Sequence, residues 1–303
     1  MATPETLARR LEETGPAGRG LILRKIGVGL RRAPILPLVV LGVVVLSGAL
    51  APLIAPYDPN AFSLGRMLRP PFWADQGSTA HWLGTDTTGR DVLSRLVWGA
   101  RVSLIVGFAA VFLAGGLGTA LGLISGYARG WLDVIIMRWV DIQQSVPTVL
   151  LLLLLASVLP QGLLTIVLII GFTGWISYAR IIRGEVLSLR ERDYVALAKV
   201  AGCSQTRILL KHLLPNVMNT VIVLATLQLG TVIILEATLS FLGLGVQPPT
   251  ASWGQMLSEG RKFMSIAWWL TTFPGVAIMV TVLGFNLLGD WLRDTLDPKR
   301  RQV

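Results

Sequence analysis

Residues Gly184 to Pro215 read GEVLSLRERDYVALAKVAGCSQTRILLKHLLP. The stretch is basic through Arg190, Arg192, Lys199, Arg207 and Lys211, yet it lies between two long apolar runs. It is too charged for lipid, and its spacing is helical. Tyr194, Leu197, Ala198 and Ala201 fall at i, i+3, i+4 and i+7, one face of a short helix. Gly202 can adopt the left-handed conformation that ends such a helix. Ser204 can cap the next one by accepting a backbone N–H. In that second helix Ile208, Leu209 and Leu213 share one side, and Arg207 and Lys211 share the other. Pro215 suits the first turn of a following helix, where its missing N–H is no loss. The stretch therefore predicts two short helices joined by a tight bend at a membrane surface. Periodicity alone leaves open an ordinary amphipathic loop.

Working outward, the chain has 303 residues, 53% hydrophobic and 15% charged. A soluble domain carries about 25% charged residues. Runs of about 20 apolar residues predict membrane spans, here six: 35–55, 103–125, 134–159, 163–182, 217–244 and 268–292. The fold class expected is an all-α integral membrane protein. The net charge of +10 lies between the apolar runs rather than on an aromatic-basic platform, which excludes nucleic acid as a partner and fits membrane lipid. A single cysteine, Cys203, excludes an internal disulfide and a cysteine-rich metal site. There is no GxxxxGK[ST] phosphate loop and no HExxH, CxxC or GxSxG. ATP hydrolysis and the common membrane-enzyme chemistries are not expected of this chain; no catalytic, metal-binding or cofactor-binding residue is assigned.

The segment 1–34 holds seven Lys and Arg residues, and its LARRLEE suggests a short amphipathic helix. The polar stretch 56–101 ends in HWLGTDTTGRDVLSRLVWGAR, followed by VSL. There Asp91, Arg95 and Trp98 predict an amphipathic helix, and Asp86, Arg90, Asp91 and Arg95 are read as charge pairs ordering a loop. The second span carries glycines at 107, 115, 116, 118 and 122, small residues that let helices approach closely in lipid. Arg138 and Asp141 form a candidate pair, and Pro147 predicts a kink halfway along the third span. Glu236 lies about 29 Å along the fifth span at ~1.5 Å per residue, near the far interface. A structural hydrogen-bonding role and a gating role are both open to it. The stretch 246–267 is polar, and Pro248-Pro249 and Gly254 argue against a span.

The quoted stretch resembles the cytoplasmic loop of ABC-importer permeases: Glu-Ala-Ala, three residues, Gly, nine residues, Ile, one residue, Leu-Pro. The matching positions are Ala196-Leu197-Ala198, Gly202, His212 and Leu214-Pro215. Spacing is intact, but Ala196, Leu197 and His212 depart from the pattern. Tyr194-Val195 and His212-Leu213-Leu214-Pro215-Asn216 are similar to the peptide-permease branch. So are GTDxxGRDxxSRLxxGARxSL around Asp86, Arg90 and Asp91, EATLSFLGLG at Glu236, and the terminal Asp290, Arg293, Asp294, Asp297 string. The extra first span places the resemblance with the second permease subunit of the dipeptide, oligopeptide and nickel importers. It covers 35–298.

The resemblance implies a MetI-like, type I importer core in the bacterial cytoplasmic membrane, and a path for di- or oligopeptides. It implies a second homologous permease, two ATPase subunits that bind ATP and Mg, and an extracytoplasmic substrate-binding protein meeting the 246–267 loop. Tyr194, Leu197 and Ala198 would seat in a groove of the ATPase, and Gly202 would set the bend. Nickel or another small solute remains an alternative substrate. A secondary carrier or channel would need mid-membrane titratable groups or broken helices, and mid-span charges are scarce.

Charge bias orients the chain independently. With the N-terminus inside, the four inner segments hold 7, 2, 7 and 4 Lys/Arg residues, against 5 and 2 outside. The expected organisation is a cytoplasmic segment 1–34, a first span and extracytoplasmic linker 35–100, a permease domain 101–298 containing the 184–215 loop, and a cytoplasmic tail 299–303, with both termini cytoplasmic.

Overall fold

The computed structural model describes residues 34–296. The expected LARRLEE helix, Asp297 and the tail 299–303 lie outside them. The described residues are helical, with no strand beyond one isolated bridge between Thr85 and Asp91. The helices are α1 (Ile35–Ala49), α2 (Ala51–Ile54), α3 (Val92–Ala128), α4 (Gly130–Gln144), α5 (Thr148–Val158), α6 (Leu163–Leu189), α7 (Asp193–Val200), α8 (Gln205–Phe241), α9 (Trp253–Gly260) and α10 (Trp269–Leu296).

The bundle is organised on α3. Asp91 caps it, its carboxylate accepting from the Ser94 amide at 2.8 Å. Its 37 residues run about 54 Å at ~1.5 Å per residue, well beyond a hydrocarbon core of about 30 Å. The α6 helix lies along it because glycines remove the obstacle. A Cβ on Gly118 would stand 2.3 Å from the Trp175 carbonyl, and one on Gly122 2.8 Å from that of Ala179. In lipid, where no hydrophobic drive joins helices, such close approach supplies the packing energy. Buried Val106, Ala110, Ile166, Ile170 and Ile233 join α3, α6 and α8 in one apolar core.

Among the described residues four helices are long and apolar enough to cross a membrane: α3, α6, α8 and α10; α4 and α5 make a fifth if the bent pair is one span. The expected third span is broken rather than kinked, its halves meeting at 87°. Pro147 disfavours helical geometry at Val146 and removes an N–H, and α5 restarts at Thr148. The first span is a helix of only 15 residues, ending where Pro52 would clash with the carbonyl of Gly48. Asp141 pairs with Arg180 of α6 at 2.8 Å, not with Arg138 as the spacing predicted.

Candidate functional site

The 184–215 loop sits at the far end of α3 from Asp91. The bend after α7 closes as the sequence predicts. Gly202 has φ +74°. The Cys203 amide donates to the Ala198 carbonyl and the Gly202 amide to that of Lys199, both at 3.0 Å. This is a Schellman closure, which needs a left-handed residue at Gly202. Ser204 then opens α8, its hydroxyl accepting from the Arg207 amide at 3.4 Å.

The two faces of α7 differ. Val195 and Ala198 are buried against Leu123, Ile182, Val186, Ile208 and Leu213, from α3, α6 and α8. The opposite face shows Tyr194, Leu197 and Val200, which are 37%, 67% and 86% exposed. Ala198 is thus on the inner face and does not share the outward face with Tyr194 and Leu197. Ala196 and Ala201 are exposed.

Ion pairs and hydrogen bonds fasten the loop to the bundle. Arg190 donates to the Tyr127 carbonyl at 2.7 Å, and Arg129 pairs with Glu191 at 2.8 Å. Nearby, Arg183 makes a two-pronged bond to Asp133 at 2.6 and 2.7 Å, which ties α6 to α4. Lys199 stands over the Tyr127 ring. Together they tie the start of the loop to the end of α3 and set Lys199 of α7 against Tyr127.

The expected second short helix is instead the first part of α8, a 37-residue rod. Residues Ile208–Leu213 are π-helical. Pro215 cannot donate to Lys211, and its ring would press on that carbonyl in α geometry; the wider π turn just before it absorbs the misfit. His212 is half-buried, and its carbonyl accepts from Asn216 at 2.5 Å. Leu214 packs on the buried cluster and Pro215 is exposed. The α7 helix therefore packs on α6 on one side and leads directly into α8 on the other.

At the opposite end, the 56–91 segment folds over the bundle through a buried ion network. Asp86 pairs with Arg90 and Arg95, each at 2.6 Å, and Glu259 of α9 pairs with the same two arginines at 2.8 and 2.5 Å. Asp91, besides capping α3, meets His81 at 2.9 Å. Burial pushes the Asp86 carboxyl up, but the charges of Arg95 and Arg90 and the amides of Thr88 and Arg90 outweigh it, so its pKa lies below the ordinary 3.8. Glu236 is fully buried, accepting from Ser103 of α3 at 3.0 Å and from Ser240 at 2.8 Å. Ser240 in turn accepts from the Val246 amide at 3.1 Å. That carboxyl holds α3, α8 and the following loop together.

A family model described as "Binding-protein-dependent transport system inner membrane component" matches residues 118–302. The chain belongs to that family. This permease is 44% identical to the dipeptide transport system permease protein DppC of Haemophilus influenzae, over 89% of this chain and 92% of that one. It is 43% identical to the oligopeptide transport system permease protein OppC of Bacillus subtilis, over 88% and 85%. To the glutathione transport system permease protein GsiD of Pectobacterium atrosepticum it is 42% identical, over 81% and 80%. Among solved structures, a chain from the inward-facing conformations of the MetNI methionine ABC transporter aligns with TM-score 0.54 at 20% identity, covering 66% of this chain and 96% of that one. That likeness supports the all-helical, MetI-like fold. The permease is a multi-pass membrane protein.

The structure brings Tyr194, Leu197, Gly202 and Pro215 together at one end of the permease, and Asp86, Arg90 and Asp91 at the other. Sequence reasoning missed Val200, the most exposed apolar residue of α7, because every position of YVALAKV except Lys199 is apolar and the phase of the helix is undetermined. It also missed Glu259, which is 164 residues from Arg95 and shows no local periodicity.

Proposed function

We propose that this chain is the second permease subunit of a peptide-importing ABC transporter, coupled to separate ATPase subunits through α7. The observation that carries the reading is the apolar face of Tyr194, Leu197 and Val200, presented on a short helix anchored to α3, α6 and α8. An exposed apolar patch on a rigid mount marks an interaction surface. The names of the DppC and OppC relatives support peptides as the cargo.

In this reading the loop end faces the cytoplasm, in agreement with the Lys/Arg bias, and both termini lie there. Leu197 and Val200 seat in an apolar groove of an ATPase subunit, and Tyr194 packs at its edge. Ala196 and Ala201 permit close approach, and Arg192 and Lys199 add charge complementarity, which sets specificity more than affinity. Ala198, Leu214 and the His212 carbonyl act from inside, holding the mount. The chain itself is non-catalytic and holds no cofactor; ATP and Mg bind to the partner subunits. Closure of two ATPases on ATP moves α7, and α6 and α8 move with it. A homologous permease completes the pathway, and an extracytoplasmic binding protein delivers substrate to the Asp86–Glu259 end. Glu236 joins the outer ends of the helices and is not a gate.

Purification of the assembled complex tests this. ATPase subunits should accompany the chain, and vesicles should take up peptide only with ATP and a soluble binding protein. Uptake driven by an ion gradient alone overturns the reading.

A further inference from the structure

The seam between α6 and α8 carries polar groups along its length, set among apolar ones. In its middle Thr173, Ser177 and Tyr178 from α6 and Gln228 and Thr231 from α8 share a cavity of about 160 Å³ with apolar side chains such as Val111 of α3 and Val232 of α8. Towards the loop end a second cavity of about 450 Å³ brings Glu185, Asn216, Asn219 and Arg293 together beside Leu224 and Leu227. The α8 residues 216, 220, 224, 228 and 231 recur at helical spacing, as do 170, 174, 177, 181 and 185 of α6, so both cavities lie on one face of each helix. Gln228 is about 21 Å from Leu214 and about 20 Å from Phe241 at ~1.5 Å per residue, midway through the membrane.

Several of these groups lack partners. The Tyr178 ring is buried beside Gly115, and its hydroxyl has no hydrogen bond. The side chains of Ser177, Gln228 and Thr231 make none among the described residues either, and Thr231 is exposed. In lipid, unpaired polar groups at this depth are strongly disfavoured, and irregular polar surface occurs where it lines a water-filled path. The groove between α3 and α8 provides the contrast: Phe112, Leu210, Met218 and Ile222 line it, and it suits acyl chains.

We propose that the α6–α8 seam is this chain's share of the translocation path, and that its middle takes the backbone of an extended peptide through neutral hydrogen-bonding groups. This rests on the peptide-import reading. The chemistry favours a backbone over a charged solute. A hydroxyl and an amide can each donate and accept, matching peptide C=O and N–H whatever side chains follow. No fixed charge in the middle selects one residue type. Glu185 and Arg293 at the inner end match the two charged termini of a short peptide as it leaves. The middle cavity is smaller than the roughly 300 Å³ at which ligand pockets begin, so α6 and α8 must part to admit cargo, and these are the helices that α7 joins.

The test uses the complete transporter in vesicles, with radiolabelled dialanine and trialanine as probes. Gln228→Cys and Thr231→Cys should react with a charged, membrane-impermeant thiol reagent above the level of the parent chain, whose one cysteine is Cys203. Their rates should differ between the nucleotide-free and ATP-bound complex, and Phe112→Cys should stay unlabelled. Gln228→Leu and Tyr178→Phe should keep ATP hydrolysis but lower peptide uptake per ATP roughly fivefold each, the worth of one net hydrogen bond. A purely structural role would lower the amount of assembled complex and leave uptake per ATP unchanged. Cysteines unlabelled in both states, as they would be if the partner permease covered the seam, overturn the proposal, and so does unchanged uptake per ATP. A parent complex that moves neither probe under ATP overturns the import reading instead, while the labelling still reports whether the seam is aqueous.

Discussion

Substitutions at Gly202 should grade coupling without touching assembly of the bundle. The residue sits at φ +74°, and a Cβ built on it meets nothing within 4 Å. Any cost is therefore backbone strain alone, with no steric clash to confuse it. For an L-residue the left-handed conformation costs about 1–2 kcal/mol, less for asparagine. Gly202→Ala should thus reduce the closed population of the bend about 5- to 30-fold relative to the open one. Gly202→Val should exceed that, because a β-branched residue is a true outlier at positive φ. An α7 of eight residues is too short to persist by itself, so loss of its two closing bonds frees Leu197 and Val200 from their mount. The assay is ATP hydrolysis and peptide uptake by reconstituted complexes at equal permease content. The expected order of uptake per ATP is Gly, then Asn, then Ala, then Val, with melting of the bundle unchanged. Equal coupling across the four, or a valine variant as active as the parent, would refute the idea that this bend transmits force.

Leu197→Glu should leave the fold intact, because the side chain is 67% exposed, and should cost docking about 1.5–3 kcal/mol, the value of burying a leucine; undiminished co-purification of ATPase subunits would disprove the contact. Asp86 should make the outer cap acid-sensitive. Its folded pKa lies below 3.8, so its contribution is complete above about pH 4 and is lost as pH falls through the folded value. Asp86→Asn should flatten the fall in melting temperature below that pH, and should lower melting at neutral pH, since breaking a buried pair costs about 3–5 kcal/mol. A variant whose melting curve parallels the parent's through acid would remove Asp86 from the account. Glu236→Gln should keep uptake near the parent's, whereas Glu236→Leu strands the Ser103 and Ser240 hydroxyls at about 1–3 kcal/mol and should melt earlier. Lost transport in Glu236→Gln at unchanged melting would make it a gate after all.

How much of this was legible in the sequence depends on the range of the interaction. The Gly202 closure and the Ser204 cap are set within a few residues, and each stands where its residue type predicts; Asp91, read from its spacing as part of the helix face, instead caps α3. The break at Pro147 was visible, but its size was not: whether a helix kinks or turns through 87° is decided by what packs on its halves. Pro215 stands in the first turn of the α-helical stretch Leu214–Phe241, as its residue type predicts, but the π turn before it lets α8 run through without a break. Span counting rested on hydropathy, which cannot see that α1 stops at 15 residues. Ala198 was placed on the wrong face because alanine carries no phase information in an apolar helix.

The polar groups of the α6–α8 seam were hidden for a related reason. Single serines, threonines and glutamines barely lower a window average dominated by Leu, Ile and Val. Only the pairing of two helices brings Ser177 and Tyr178 opposite Gln228 and Thr231. The same pairing places α7 where it meets both walls of the seam, through Val195 and Ala198 against Ile182 and Val186 on α6 and Ile208 and Leu213 on α8. A displacement of α7 by a partner cannot leave that seam unchanged, because both of its walls share one buried apolar cluster with the helix being moved. Interiors packed to near-crystalline density pass such a strain on rather than absorbing it.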